Sequence, residues 1–95
     1  MPLETFPGYD LIARGLADLA RGEESVPALL VSIGAIRLRR VGLAVPRNTI
    51  PSPEIALYLK LQESDPDGAH SRYNALIRTL VSFERAAECA SSMSS

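Results

Sequence analysis

The sequence predicts an all-α fold, a compact bundle of four helices joined by short connections. Three observations carry that reading. Apolar residues recur three and four apart along most of the chain. Glycine, proline, serine and aspartate stand at the ends of those runs, where helix caps need them. Segments with strand-like alternation are absent. At 95 residues there is room for one small domain, expected over 1–90, with the polar stretch SSMSS at 91–95 as a disordered tail.

The first helix is expected over residues 7–21. Tyr9, Ile12, Ala13, Leu16, Leu19 and Ala20 share one face. Asp10, Arg14, Asp18 and Arg21 share the opposite face, and the pairs Asp10/Arg14 and Asp18/Arg21, one turn apart, suit solvent. Gly22 ends the element. The second helix is expected over 25–41, with Ser25 as N-cap and Pro27 in the first turn, where no amide hydrogen is missed. Gly42 can take the left-handed conformation of a C-terminal cap, with Leu43 folding back onto the last turn.

A loop over 44–53 follows, because Pro46, Pro51 and Pro53 rule out regular pairing. The third helix, 52–63, opens with Ser52 as cap and Pro53 in the first helical position. The fourth, 65–89, opens with Asp65 as cap and Pro66 leading. Its seam is Ala69, Tyr73, Leu76, Leu80, Phe83, Ala87 and Ala90, widened on one flank by Ile77 and Val81.

The functional reading starts from charge. The formal net charge is −1, so the chain has no global pull toward polyphosphate or an acidic membrane. The single Cys89 has no intramolecular disulfide partner, which suits a reducing compartment. The opening MPLETFPGYD has neither the basic region nor the apolar core of a signal peptide. The apolar run from Val26 to Ile36 is shorter than the ~20 residues a membrane span needs. The expectation is a cytoplasmic protein with no membrane partner.

The stretch IRLRRVGLAVP places Arg37, Arg39 and Arg40 together at the end of the second helix. Val26, Leu29, Leu30, Ile33 and Ile36 form one stripe along that helix, and its next turn lands on Arg37 and Arg40, whereas Arg39 points away. The cluster is therefore split rather than one basic face. Cations near a helix C-terminus also gain from the helix dipole. From Val26 to Pro53 there is no acidic residue. If the loop brings Arg47 beside Arg39, then Arg37, Arg39, Arg40 and Arg47 offer a local patch for a phosphate ligand or nucleic acid. Inward arginines need carboxylates. Glu84 falls inside the widened apolar sector of the fourth helix, so it is expected to pair with Arg37 or Arg40 across the core or a subunit interface.

Two helices are apolar on more than one side. The second carries a further stripe, Ala28, Val31, Ala35 and Leu38. On the third, Ile55, Ala56 and Leu59 face one way while Leu57, Tyr58 and Leu61 face another. Such helices must be sandwiched. The expectation is a homodimer, or a contact with another protein, through Val31, Ala35, Leu38, Leu57, Tyr58 and Leu61.

Catalytic and cofactor chemistry finds no support. Asp65 is explained by capping, Asp67 by the first-turn preference for acids, and His70 has no second histidine or cysteine to complete a metal set. Ser71 beside His70 lacks a third member and an oxyanion hole. No cofactor, metal or catalytic residue is expected, and the chain is not expected to be an enzyme. The leading expectation is a helical protein-interaction domain serving as a homodimeric adaptor, regulator or accessory subunit. The alternative is nucleic-acid or phosphate-ligand binding through the arginines.

Overall fold

The computed structural model describes residues 3–93. Among them there is no strand, and the elements follow in the order of a 3-10 turn at Leu3–Thr5 and helices α1 (Tyr9–Ala20), α2 (Val26–Ile33), α3 (Ala35–Arg40), α4 (Pro53–Ser64) and α5 (Ala69–Met93). The fold is all-α, as the sequence predicts. None of these helices is long and apolar enough to cross a membrane.

The predicted glycine stops form as expected. Gly22 and Gly42 adopt φ of 75° and 98°. In both, two backbone bonds close the helix end: Gly22 N to Leu19 O (3.0 Å) with Glu23 N to Asp18 O (2.8 Å), and Gly42 N to Arg39 O (3.1 Å) with Leu43 N to Leu38 O (3.1 Å). This is the Schellman arrangement, which satisfies carbonyls the helix itself cannot. Ser25 caps α2 by accepting the Ala28 amide at 3.2 Å.

Several boundaries depart from the expectation. The helix predicted over 25–41 is two helices, broken at Gly34 (φ −92°, ψ 10°). The break lies where α5 packs close: a Cβ on Gly34 would sit 2.7 Å from Glu84 Oε2 and 2.9 Å from Leu80 Cδ1. It also carries α3 off the α2 stripe, so Ile36 is 67 % exposed rather than buried, and Arg40 is exposed rather than core-facing.

Ser52 stands at the start of α4 but does not cap it with its side chain. It is held at φ 47°, ψ 52°, outside the extended region in which an N-cap hydroxyl reaches back to the helix amides. Helix α5 begins at Ala69 rather than at 65, because Asp65 caps a turn ahead of it, accepting the Gly68 amide at 3.1 Å. Toward the other end α5 runs to Met93, since no glycine or proline interrupts it after Cys89. Residues 91–93 of the expected disordered tail are thus helical, and 94–95 lie outside the described residues.

Helix α2 is the centre of the packing. It lies against α1, α4 and α5, most extensively against α1. Gly15 on α1 makes that closeness possible: a Cβ there would lie 2.3 Å from Pro27 O and 2.5 Å from Val31 Cγ2. Ile12, Leu19, Leu30, Leu57, Leu61 and Phe83 are among the large side chains enclosed between these helices. Phe83 also takes the edge of Phe6 at 6.3 Å and tilts against Tyr9 at 6.5 Å, which fastens the N-terminal segment to α5.

This arrangement corrects the expected interface. Val31, Ala35, Leu38, Leu57 and Leu61 are buried within their own chain, because α2, α3 and α4 all turn these side chains into one shared core cluster. Only Tyr58 of that set reaches the surface, half-buried.

Candidate functional site

Three features of the surface combine charge with chemistry, and the sequence pointed at parts of each. The first is an ion-pair cluster between α3 and α5. Arg37 donates from Nε to Glu88 Oε1 at 2.9 Å and reaches Glu84 Oε1 with Nη1 at 3.2 Å. The expected pairing of Glu84 falls to Arg37, and Arg40 takes no part. Glu84 is 2 % exposed, and its Oε2 has no hydrogen-bond partner. Burial pushes its carboxyl above the ordinary glutamate value; the Arg37 charge pulls it down, and neighbouring Glu88 pushes it up again. The bond to Glu88 and the charge of Glu84 together hold the Arg37 guanidinium more firmly protonated. Glu88 was not anticipated, although it lies one turn beyond Glu84 on the same helix.

The second feature is the end of α3 with the loop that follows. Arg39 donates to the Pro46 carbonyl at 2.9 Å, which brings the loop residue preceding Arg47 to the arginine cluster. Arg39, Arg40 and Arg47 are all exposed, and among the described residues neither Arg40 nor Arg47 makes an ion pair. Arg37, in contrast, is neutralised by two carboxylates. The four arginines therefore do not act as one patch: three face solvent and the fourth is engaged with α5. Ile36 shares the outer side of α3 with Arg39 and Arg40, one turn away.

The third feature is the outer face of α4. Both sides of this helix are apolar, and the packing selects Leu57 and Leu61 for the core, leaving Ile55 and Leu59 65 % and 54 % exposed. The face left open is thus the one opposite the expected Leu57 and Leu61 stripe. Tyr58 and Tyr73 meet edge to face at 5.8 Å and form the wall of an open groove of about 320 Å³ with Glu54, Ile55 and Leu59. On the other flank of Leu59 a smaller groove, of about 240 Å³, is lined by Glu24, Leu29, Ala56, Lys60 and Glu63. Leu59 is thus a ridge between two grooves, edged by three carboxylates and one ammonium.

His70 is exposed and hydrogen-bonded with Asn74 at 3.2 Å, and Cys89 is exposed. Among the described residues no group of three or more histidine, cysteine, aspartate or glutamate side chains is placed to hold a metal ion. No family model, curated protein or solved structure matches the chain, so its own residues carry the functional reading.

Proposed function

We propose that the chain is a small helical protein-interaction domain, an adaptor, regulator or accessory subunit of the cytoplasm without catalysis of its own, and that it binds through the outer face of α4. The observation that carries this reading is the pairing of exposed Ile55 and Leu59 with the Tyr58–Tyr73 groove. Aliphatic side chains beside a preformed aromatic wall give a partner both apolar area and a shape to fit. The rim of Glu24, Glu54, Lys60 and Glu63 supplies the polar edge that excludes water from such a contact.

The test is co-purification from the native cell with the wild-type chain and with Leu59→Asp, both checked for helicity by circular dichroism. A protein recovered with the first and lost with the second supports the reading; equal recovery with both removes α4 as the surface. Exposed, unpaired Arg40 and Arg47 favour a second reading, binding of nucleic acid or a phosphate ligand. Its measurement is affinity for a nucleic acid at two salt concentrations, since phosphate contacts release counterions and weaken steeply with salt.

A further inference from the structure

The three large hydrophobic residues most exposed among those described fall in two opposite electrical surroundings. Ile55 and Leu59 lie in the α4 face edged by Glu24, Glu54 and Glu63, with Lys60 as the single opposing charge. Ile36 lies on α3 beside Arg39 and Arg40, in a stretch with no acidic residue from Val26 to Pro53. One surface is an apolar ridge and groove in an acidic rim; the other is an apolar knob in a basic rim. We infer that the partner of the α4 face is a second copy of this chain, which seats its Ile36–Arg40 end on Ile55 and Leu59 in a head-to-tail contact. This rests on the reading of α4 as a binding surface and adds the occupant.

The chemistry favours this occupant over a symmetric α4-to-α4 contact. Juxtaposing two α4 faces would bring Glu24, Glu54 and Glu63 of both copies together, and like charges across an interface oppose association. Seating the α3 end there instead sets Arg39, Arg40 and Arg47 against those carboxylates. The total charge of −1 leaves little overall repulsion between copies. Arg37 stays out of the contact, because Glu84 and Glu88 already hold it. A contact that uses two different surfaces leaves each copy with one of each to offer, so it closes into a ring or a mutual pair, or continues as a chain.

The experiment is sedimentation velocity of the purified full chain over a concentration series, at low and high salt, with Arg40→Glu, Glu63→Lys and Ile55→Asp as variants. Arg40 and Glu63 are exposed, so neither reversal disturbs the core. The expected result is self-association that weakens with salt. Arg40→Glu and Glu63→Lys each weaken it roughly tenfold, the scale of exchanging an attractive for a repulsive pair. An equimolar mixture of the two variants associates more strongly than either alone, because each then meets an opposite charge.

A wild-type chain that stays monomeric overturns the second-copy occupant, as does binding of nucleic acid by the Arg40 end without self-association. An Arg40→Glu variant that associates like wild type overturns it too. If in that case Ile55→Asp abolishes association, the α4 surface stands and only the occupant is wrong. If Ile55→Asp also changes nothing, the α4 reading falls with it.

Discussion

The contact between α1 and α2 and the contact of α3 with α5 are built from the same parts. Each has a glycine at the point of close approach, a carboxylate almost closed to water, and an arginine beside it. At the first, Gly15 admits α2, and Asp18 (5 % exposed) uses both oxygens: Oδ1 accepts from Arg21, and Oδ2 accepts the Ser25 hydroxyl at 2.5 Å. Ser25 in turn caps α2. At the second, Gly34 admits α5, and Glu84 uses Oε1 for Arg37 while Oε2 lies against Gly34 with no partner. A buried carboxylate with both oxygens engaged orders its neighbours; one left half-satisfied carries a desolvation cost that its single ion pair only partly offsets.

The sharpest way to break this contrast is Gly15→Ala. The added methyl would lie 2.3 Å from the Pro27 carbonyl oxygen, a backbone atom that cannot turn aside. The helices must separate, at a cost of about 3 kcal/mol in urea denaturation. Asp18→Ala comes next, at about 2 kcal/mol, since it unties Arg21 and leaves the capping hydroxyl of Ser25 unoriented. Gly34→Ala should cost less, about 1 kcal/mol, because its closest neighbours are the ends of the Glu84 and Leu80 side chains and alanine, which can adopt φ −92°, loses less freedom on folding than glycine. In a Glu84→Ala background that penalty should shrink, and an unchanged penalty would mean Leu80 alone resists the methyl.

Glu84→Gln has the smallest expected effect and the opposite sign, within about 1 kcal/mol of wild type and stabilising near neutral pH, because Arg37 keeps Glu88 as a partner. Its pH dependence is the discriminating measurement. The native state raises the Glu84 pKa, so it binds this proton more tightly than the unfolded chain does. Stability from this group is present below the ordinary glutamate value and is lost as pH rises through the raised native one. The advantage of the glutamine variant should therefore grow over that window and then level off. A difference independent of pH would show that folding leaves the Glu84 pKa unshifted.

What the sequence revealed follows from how local each signal is. The stops at Gly22 and Gly42, the Ser25 cap and Pro53 in the first helical position depend on a few neighbouring residues, and they form where expected. Glu84 was conspicuous because a charge stood in an apolar sector, which marks a pairing without naming its geometry. The rest needed neighbours that sequence spacing does not bring together. Asp18 looks solvated on a helical wheel, and only the turn that returns Ser25 over it hides it. Gly34 inside an apolar run reads as continuing helix, since the reason for the break is α5, far along the chain. The two apolar sides of α4 look equivalent in sequence, and the neighbours α2 and α5 choose Leu57 and Leu61 for the core.

The connection from α3 to α4 has no regular structure, yet three clasps hold it: Arg39 on the Pro46 carbonyl, the Asn48 side-chain amide on the Leu19 carbonyl at 2.8 Å, and the Ile50 amide on the Ser32 hydroxyl at 3.1 Å. These anchor points belong to α3, α1 and α2 respectively, so the segment is sewn to three different posts. A thread stitched in that way unpicks one knot at a time. Amide exchange at Ile50 should then report a modest opening of this seam well before the core unravels.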